Sequence, residues 1–257
     1  MRKSISKVYL GLIYLFLYAP IIIMIVYSFN SERSRANWGG FSLKWYRELF
    51  HNDQIRAALY NTLTIAFISA VIATVVGTLA AIGIHYMRGR MKPLVMNITY
   101  LPVINPDIVT GVSLMLLFVF LKVRLGWSTM LLAHLSFNIP YVIMSVLPKL
   151  TQLDTNLVEA ANDLGASNWY ALRHVIIPNI MPGIISGFII AITLSIDDFV
   201  ISFFNTGSGV NNLSIYIYST VKTGIKPTMN ALSAIMFIAV MLLLIIINIR
   251  SEKEKAK

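Results

Sequence analysis

The sequence predicts an all-α polytopic membrane protein, with six apolar helices forming one transmembrane domain over residues 1–257. Three observations predict it. Hydrophobic residues make up 57% of the chain and charged residues only 12%, well outside the soluble norm. Six segments approach the roughly 20 apolar residues that a helix needs to cross a bilayer. Prolines and glycines inside those segments are of the kind tolerated where neighbouring protein satisfies the freed backbone.

The first span, Val8–Phe29, starts beside Arg2, Lys3 and Lys7 but is too long for a signal-peptide core. No small-residue cleavage site follows at Ser28-Phe29-Asn30-Ser31, so it reads as a retained signal anchor. An outer loop from Asn30 to about Arg56 carries Trp38-Gly39-Gly40 as a turn. Ser42 is placed to cap a short amphipathic helix through Leu49, whose Trp45 and Tyr46 fit an interfacial aromatic belt. The second span, Leu59–Ile84, holds Gly77, Ala80, Ala81 and Gly83, small enough for close helix approach. After a short basic turn, Met87 to Lys92, the third span runs Leu94–Leu121 and is interrupted by Pro102 and Pro106. The fourth, Ser128–Leu147, is the weakest because His134, Asn138 and Pro140 interrupt it. The fifth and sixth are Ile184–Phe204 and Ala231–Ile249. Between them lies an outer loop rich in Asn, Gly and Ser, with Tyr216 and Tyr218 in a short helix.

The formal net charge is +10. With both termini in the cytoplasm, the inner segments hold Arg88, Arg90, Lys92, Lys149, Arg173, Arg250, Lys253, Lys255 and Lys257 besides the N-terminal three. The outer loops hold Arg33, Arg35, Lys44, Arg47, Arg56, Lys122, Arg124, Lys222 and Lys226. This follows the positive-inside rule in a plasma or inner membrane, and the excess suits anionic headgroups. No basic stripe interleaved with aromatics points to nucleic acid. There is no cysteine, which excludes disulfides and thiolate chemistry, and His85, His134 and His174 are too scattered for a metal site.

The one sizeable polar segment inside, residues 148–183, reads as two short helices broken at a glycine. Leu153, Leu157, Ala160, Ala161 and Leu164 recur at helical spacing, with Asp154 or Thr155 as N-cap. Gly165 suits the C-terminal turn, where a positive φ costs it little. A second run begins at Ser167, places Trp169, Leu172 and Val175 on one side, and is expected to stop at Pro178. A helical hairpin that is apolar on one face calls for a partner protein. Glu159-Ala160-Ala161, then Asp163 within the spacer, then Gly165-Ala166 and Pro178 resemble the coupling loop of ABC-importer permeases. In that family the loop lies in the cytoplasm and docks into a groove on the ATPase subunit.

Three acids sit inside apolar spans: Asp107, Asp197 and Asp198. A charge near mid-bilayer costs a few kcal/mol, so such residues normally face a pathway or a partner. Asp107 and Asp197 fall at matching depth, about 20 Å from the inner ends of their spans if helical. No lysine or arginine lies deep in a span to neutralise them, and a cationic ligand would supply the missing charge. Ammonium groups along an aliphatic chain would suit a lining such as Leu101, Val103, Phe199 and Phe203. The bland alternative has one of Asp197 and Asp198 capping a broken helix or bonding Ser195 or Thr193. Neighbours on a helix point about 100° apart, so both would hardly face one pathway.

Asn105-Pro106-Asp107-Ile108-Val109 and Leu194-Ser195-Ile196-Asp197-Asp198-Phe199-Val200 resemble segments of the spermidine/putrescine permeases of the PotC type. So do Tyr18-Ala19-Pro20-Ile21-Ile22 and Ile215-Tyr216, and the likeness runs nearly end to end. It implies a type I ABC-importer permease (MetI-like) fold, a second, different permease subunit, two ATPase subunits and an extracytoplasmic substrate-binding protein. The chain itself would be a non-catalytic transport subunit without cofactor, the ATP being bound by the partner ATPase. It has no phosphate-cradling Gly-x-x-x-x-Gly-Lys-Ser/Thr loop of its own. An importer of Fe(III), thiamine or another small solute is the nearest alternative. A proton- or sodium-coupled transporter would not explain the helical loop, and inverted repeats are not evident. An intramembrane aspartyl protease using Asp107 with Asp197 or Asp198 is a remote rival, because no Gly-x-Gly-Asp stretch is present.

Overall fold

A computed structural model describes residues 2–255 apart from Arg35 and Ile225. Arg35 and Lys257, counted above among the loop charges, lie outside the described residues. The described chain is helical, and an isolated bridge between Asn30 and Phe41 is its extended pairing. In order the helices are α1 (Arg2–Tyr27), α2 (Lys44–His51), α3 (Asp53–Tyr86), α4 (Met91–Ile104), α5 (Asp107–Phe120) and α6 (Trp127–Gln152). Then come α7 (Thr155–Asp163), α8 (Asn168–Ala171), a π-helical turn (Leu172–Ile176), α9 (Ile177–Asp197), α10 (Val200–Asn205), α11 (Leu213–Thr223) and α12 (Pro227–Lys255).

Four helical stretches are long and apolar enough to cross a membrane: Tyr9–Tyr27, Asp53–Tyr86, Trp127–Gln152 and Asn168–Asp197. The pair α4 and α5, together apolar and long enough to count as a fifth, is bent by 106° within Leu94–Leu121, which the sequence shows interrupted by Pro102 and Pro106. Pro106, preceded by extended Asn105, makes that bend, whereas Pro102 is carried inside α4. Pro227–Leu242, at the start of α12, is a shorter apolar stretch where the sequence suggests the sixth span. The segment that reads weakest in the sequence is an uninterrupted helix in which the His134 and Asn138 side chains are fully buried.

The chain divides into two compact units, Met1–Arg56 with Tyr216–Lys257, and Ala57–Ile215. In the first, α12 packs against α1 and α2. Its outer loop is organised by Asn30, whose Nδ2 donates to the Asn37 carbonyl at 2.8 Å while its Oδ1 accepts from the Gly39 N–H at 2.8 Å. Trp45 Nε1 donates to the Asn30 carbonyl at 2.6 Å, fixing α2 through a buried indole. The helix cap expected at Ser42 falls one residue early: Leu43 is the N-cap, and Ser42 Oγ accepts from the Lys44 N–H at 3.1 Å.

The second unit is centred on α6, which packs on α4, α5, α9 and α10. Its core joins Ala70, Ala73 and Ala81 of α3 to Val142, Val146 and Leu150 of α6 and Ile180 and Ala191 of α9. Glycines set how closely these helices approach. A Cβ added at Gly77 would lie 2.8 Å from Val142 Cβ, and one at Gly187 would lie 3.2 Å from Val142 Cα. Val142 is thus seated between notches in α3 and α9. At Gly183, four residues before Gly187, an added Cβ would meet the Ser145 carbonyl oxygen at 2.9 Å. This small-xxx-small pair on α9 lets two backbones touch. Gly83, grouped with Gly77 in the sequence, is exposed and has nothing within 4 Å.

Gly183→Ala is therefore expected to destabilise the folded protein by about 1–3 kcal/mol through overpacking against backbone. Gly83→Ala, facing open space, is expected to stay within about 0.5 kcal/mol of the parent. Thermal unfolding in detergent, followed for both variants, checks the contrast.

Candidate functional site

The two helix breaks of the second unit make a pocket. Asp107 is the first residue of α5, just past the 106° bend, and Asp197 is the last residue of α9. The chain turns extended at Asp198 (φ −64°, ψ 125°) before α10 begins. Helices α5 and α10 are held together at Gly111, where an added Cβ would come 3.3 Å from Ile201 Cα. Asn205 Nδ2 also donates to the Gly111 carbonyl at 3.1 Å. The resulting pocket has a volume of about 320 Å³ and is lined by Pro102, Asp107, Phe137, Tyr141, Asp197 and Asp198 among others.

The three sequence-derived acids therefore share one pocket, but in different states. Asp107 and Asp197 are exposed. The Asp198 side chain is only 9% exposed and is engaged in structure: its carboxylate accepts from the Ile201 N–H at 3.1 Å and the Ser202 N–H at 2.7 Å, capping α10. Asn212 Nδ2 donates to its backbone carbonyl at 3.3 Å. The helical geometry that would aim the neighbouring acids about 100° apart does not apply, because the helix ends between them. What this lining can do chemically is attract a cation: Phe137, Tyr141 and Phe199 form its aromatic walls, and no lysine or arginine lines it.

A buried polar network behind the pocket is invisible to hydropathy. His134 is 1% exposed; its Nδ1 bonds Ser195 Oγ, and its Nε2 lies 2.9 Å from Ser202 Oγ and 3.5 Å from Asp198 Oδ2. Ser69 Oγ lies 3.3 Å from Ser195 Oγ and accepts from Asn138 Nδ2 at 3.2 Å. The signal that could have found it is the four-residue spacing of His134 and Asn138, which stacks them on one face of a span.

The inner loop is built from local rules. Asp154, not Thr155, is the N-cap of α7 and accepts from the Asn156 N–H at 2.9 Å. At its far end Gly165 takes φ +84°, with Gly165 N–H bonded to the Asn162 carbonyl and Ala166 N–H to that of Ala161. Ser167 caps α8 through the Tyr170 N–H at 3.3 Å. Pro178 does not end the second helix as the sequence suggests. The chain passes from α8 through the π turn into α9, with Pro178 in the first turn of α9, where a missing N–H is tolerated. Glu159, Ala160, Asp163 and Gly165 are exposed, and Ala161 and Ala166 half-buried. Leu164 is 90% and Trp169 70% exposed, an apolar face that nothing in the unit covers.

Residues 73–251 match the family described as the binding-protein-dependent transport system inner membrane component. The chain is 41% identical over 245 residues to the spermidine/putrescine transport system permease protein PotC of Escherichia coli (strain K12), covering 95% of this chain and 92% of that one. It is 38% identical to the putrescine transport system permease protein PotI of the same strain, over 94% and 90% of the two chains. Among solved structures, a bacterial ABC transporter involved in import of the acidic polysaccharide alginate superposes with a TM-score of 0.73 at 18% identity, covering 99% and 96%.

The chain is a multi-pass membrane protein with the fold of ABC-importer permeases. It belongs to the binding-protein-dependent transport system inner membrane component family, in the branch that holds the PotC and PotI permeases. It is a transport subunit and not an enzyme, which sets aside the protease reading. Such permeases work with a substrate-binding protein and an ATPase.

Asp198→Ala removes the α10 cap and leaves His134 facing a vacated carboxylate site, so it is expected to cost about 1–2 kcal/mol. Asp198→Asn keeps an acceptor and should cost less. Unfolding of the two variants side by side measures the difference.

Proposed function

We propose that this chain forms half of the translocation pathway of an ATP-driven importer of polyamines such as spermidine and putrescine. The observation that carries the reading is the aromatic-walled pocket in which Asp107 and Asp197 stand exposed with no basic residue in its lining. A primary ammonium is the ion such a lining suits: compact, able to donate several hydrogen bonds, and carried on an apolar stem. The substrates named for the PotC and PotI relatives support the same chemistry.

In this reading both termini and the loop 148–183 lie in the cytoplasm. Glu159, Ala160, Ala161, Asp163, Gly165 and Ala166 form the part that docks on the ATPase, and the exposed Leu164 and Trp169 give it an apolar contact. A second, different permease subunit completes the pathway, two ATPase subunits bind the ATP, and a substrate-binding protein delivers from outside. No cofactor belongs to this chain.

Uptake of radiolabelled spermidine and putrescine, in cells lacking their own polyamine importers and expressing this chain with its partner subunits, tests the substrate. Asp107→Asn and Asp197→Asn are each expected to lower uptake about 10- to 100-fold at unchanged membrane levels, the loss of a charge-assisted bond of about 1.5–3 kcal/mol. No polyamine uptake by the intact, assembled complex overturns the reading. Glu159→Lys is expected to lower uptake about tenfold by weakening the ATPase contact while the spans still insert. Undiminished substrate-stimulated ATP turnover and retained ATPase in that purified variant would remove the loop from the coupling path.

A further inference from the structure

His134 touches neither Asp107 nor Asp197, yet it is the side chain that joins the two sides of the break at which Asp197 sits. From α6 its Nδ1 reaches Ser195, two residues before Asp197 on α9, and its Nε2 reaches Ser202 and Asp198 on the far side. The chemistry of these partners sets the tautomer. A carboxylate can only accept, so the proton sits on Nε2, facing Asp198 and Ser202, and Nδ1 takes the Ser195 hydroxyl proton. One ring thus bonds both helix ends at once, inside a cluster that Ser69 and Asn138 extend to α3 and along α6.

We propose that His134 is the positioning residue of the pocket, holding the α9–α10 break so that the Asp197 carboxylate stands at a fixed separation from Asp107. This rests on the pocket being the cation site. The physical ground is that Asp197 terminates a helix and is exposed, so nothing on its own side chain fixes its place. Its backbone position is set by the residues on either side, and both sides are tied to the same imidazole. A matched separation is what a ligand carrying ammonium groups at fixed intervals reads. Loss of the ring frees the break without removing any carboxylate.

The assembled transporter tests this with two readouts. Because the chain has no cysteine, nitroxide labels placed by Ile108→Cys and Ile196→Cys report the separation across the pocket with Asp107 and Asp197 intact. His134→Leu, close in size but unable to bond, is expected to broaden that separation and, in the unlabelled protein, to lower polyamine uptake per assembled complex about tenfold. His134→Gln, whose amide reaches Ser202 and Asp198, should restore the narrow separation and most of the uptake. Ser202→Ala removes the nearer of the two far-side contacts, 2.9 Å against 3.5 Å for Asp198 Oδ2, and should broaden the separation even if His134→Leu does not assemble. A narrow separation in His134→Leu or Ser202→Ala, or an uptake loss explained by reduced assembly alone, overturns the proposal. If the parent transporter imports no polyamine, the substrate reading falls, and the label separation still decides the role of His134.

Discussion

In hydrocarbon a helix cannot break without bringing hydrogen-bond partners for the groups it frees, and this chain breaks twice beside one cavity. At the α9–α10 break the N–H groups of Ile201 and Ser202 fall to the Asp198 carboxylate, and the Asp198 carbonyl takes the Asn212 amide. At the α4–α5 break Pro106 has no N–H to satisfy, and the Asn205 amide binds the Gly111 carbonyl a turn further on. Once those demands are met, Asp107 and Asp197 are the acids left open to the pocket. The division of labour between Asp197 and Asp198 thus follows from backbone bookkeeping, since the acid that caps is occupied.

Close packing depends on the same helix that carries the network. Helix α6 presents Val142 to glycines on two neighbours, and eight residues earlier it presents His134 to the break. Those positions lie on one side of the helix, about two turns apart. The apolar contact and the polar contact therefore hold α9 against α6 at two heights. Leu or Ile in place of the histidine would satisfy hydropathy and take from the Ser195 and Ser202 hydroxyls the partner they share in the interior.

The sequence made the helical membrane class plain, because apolar length is a sum over a window and survives errors of a few residues. The loop was legible for a different reason: an N-cap at Asp154 and a left-handed Gly165 are settled by neighbours in the chain. What a window cannot show is where a span bends, and Leu94–Leu121 and Ile184–Phe204 both contain breaks. Nor can it tell a polar residue that interrupts a span from one that finds partners across it, which is how His134 and Asn138 came to weaken the fourth segment. Pro178 misleads in the opposite direction, since its cost depends on whether the preceding turn needs its N–H. The shared pocket of Asp107 and Asp197 needs residues ninety positions apart to meet, and no local pattern carries that.

The π turn at Leu172–Ile176 has a mechanical consequence. By joining α8 to α9 it makes Asn168–Asp197 one helical stretch of 30 residues, about 45 Å long. One end carries the exposed Trp169 and the other carries an acid of the pocket. Such a strut works as a lever: a tilt of about 5° at either end sweeps the opposite end through about 4 Å, more than a hydrogen-bond length. A small movement at Trp169 is thus large enough at Asp197 to make or break a hydrogen bond.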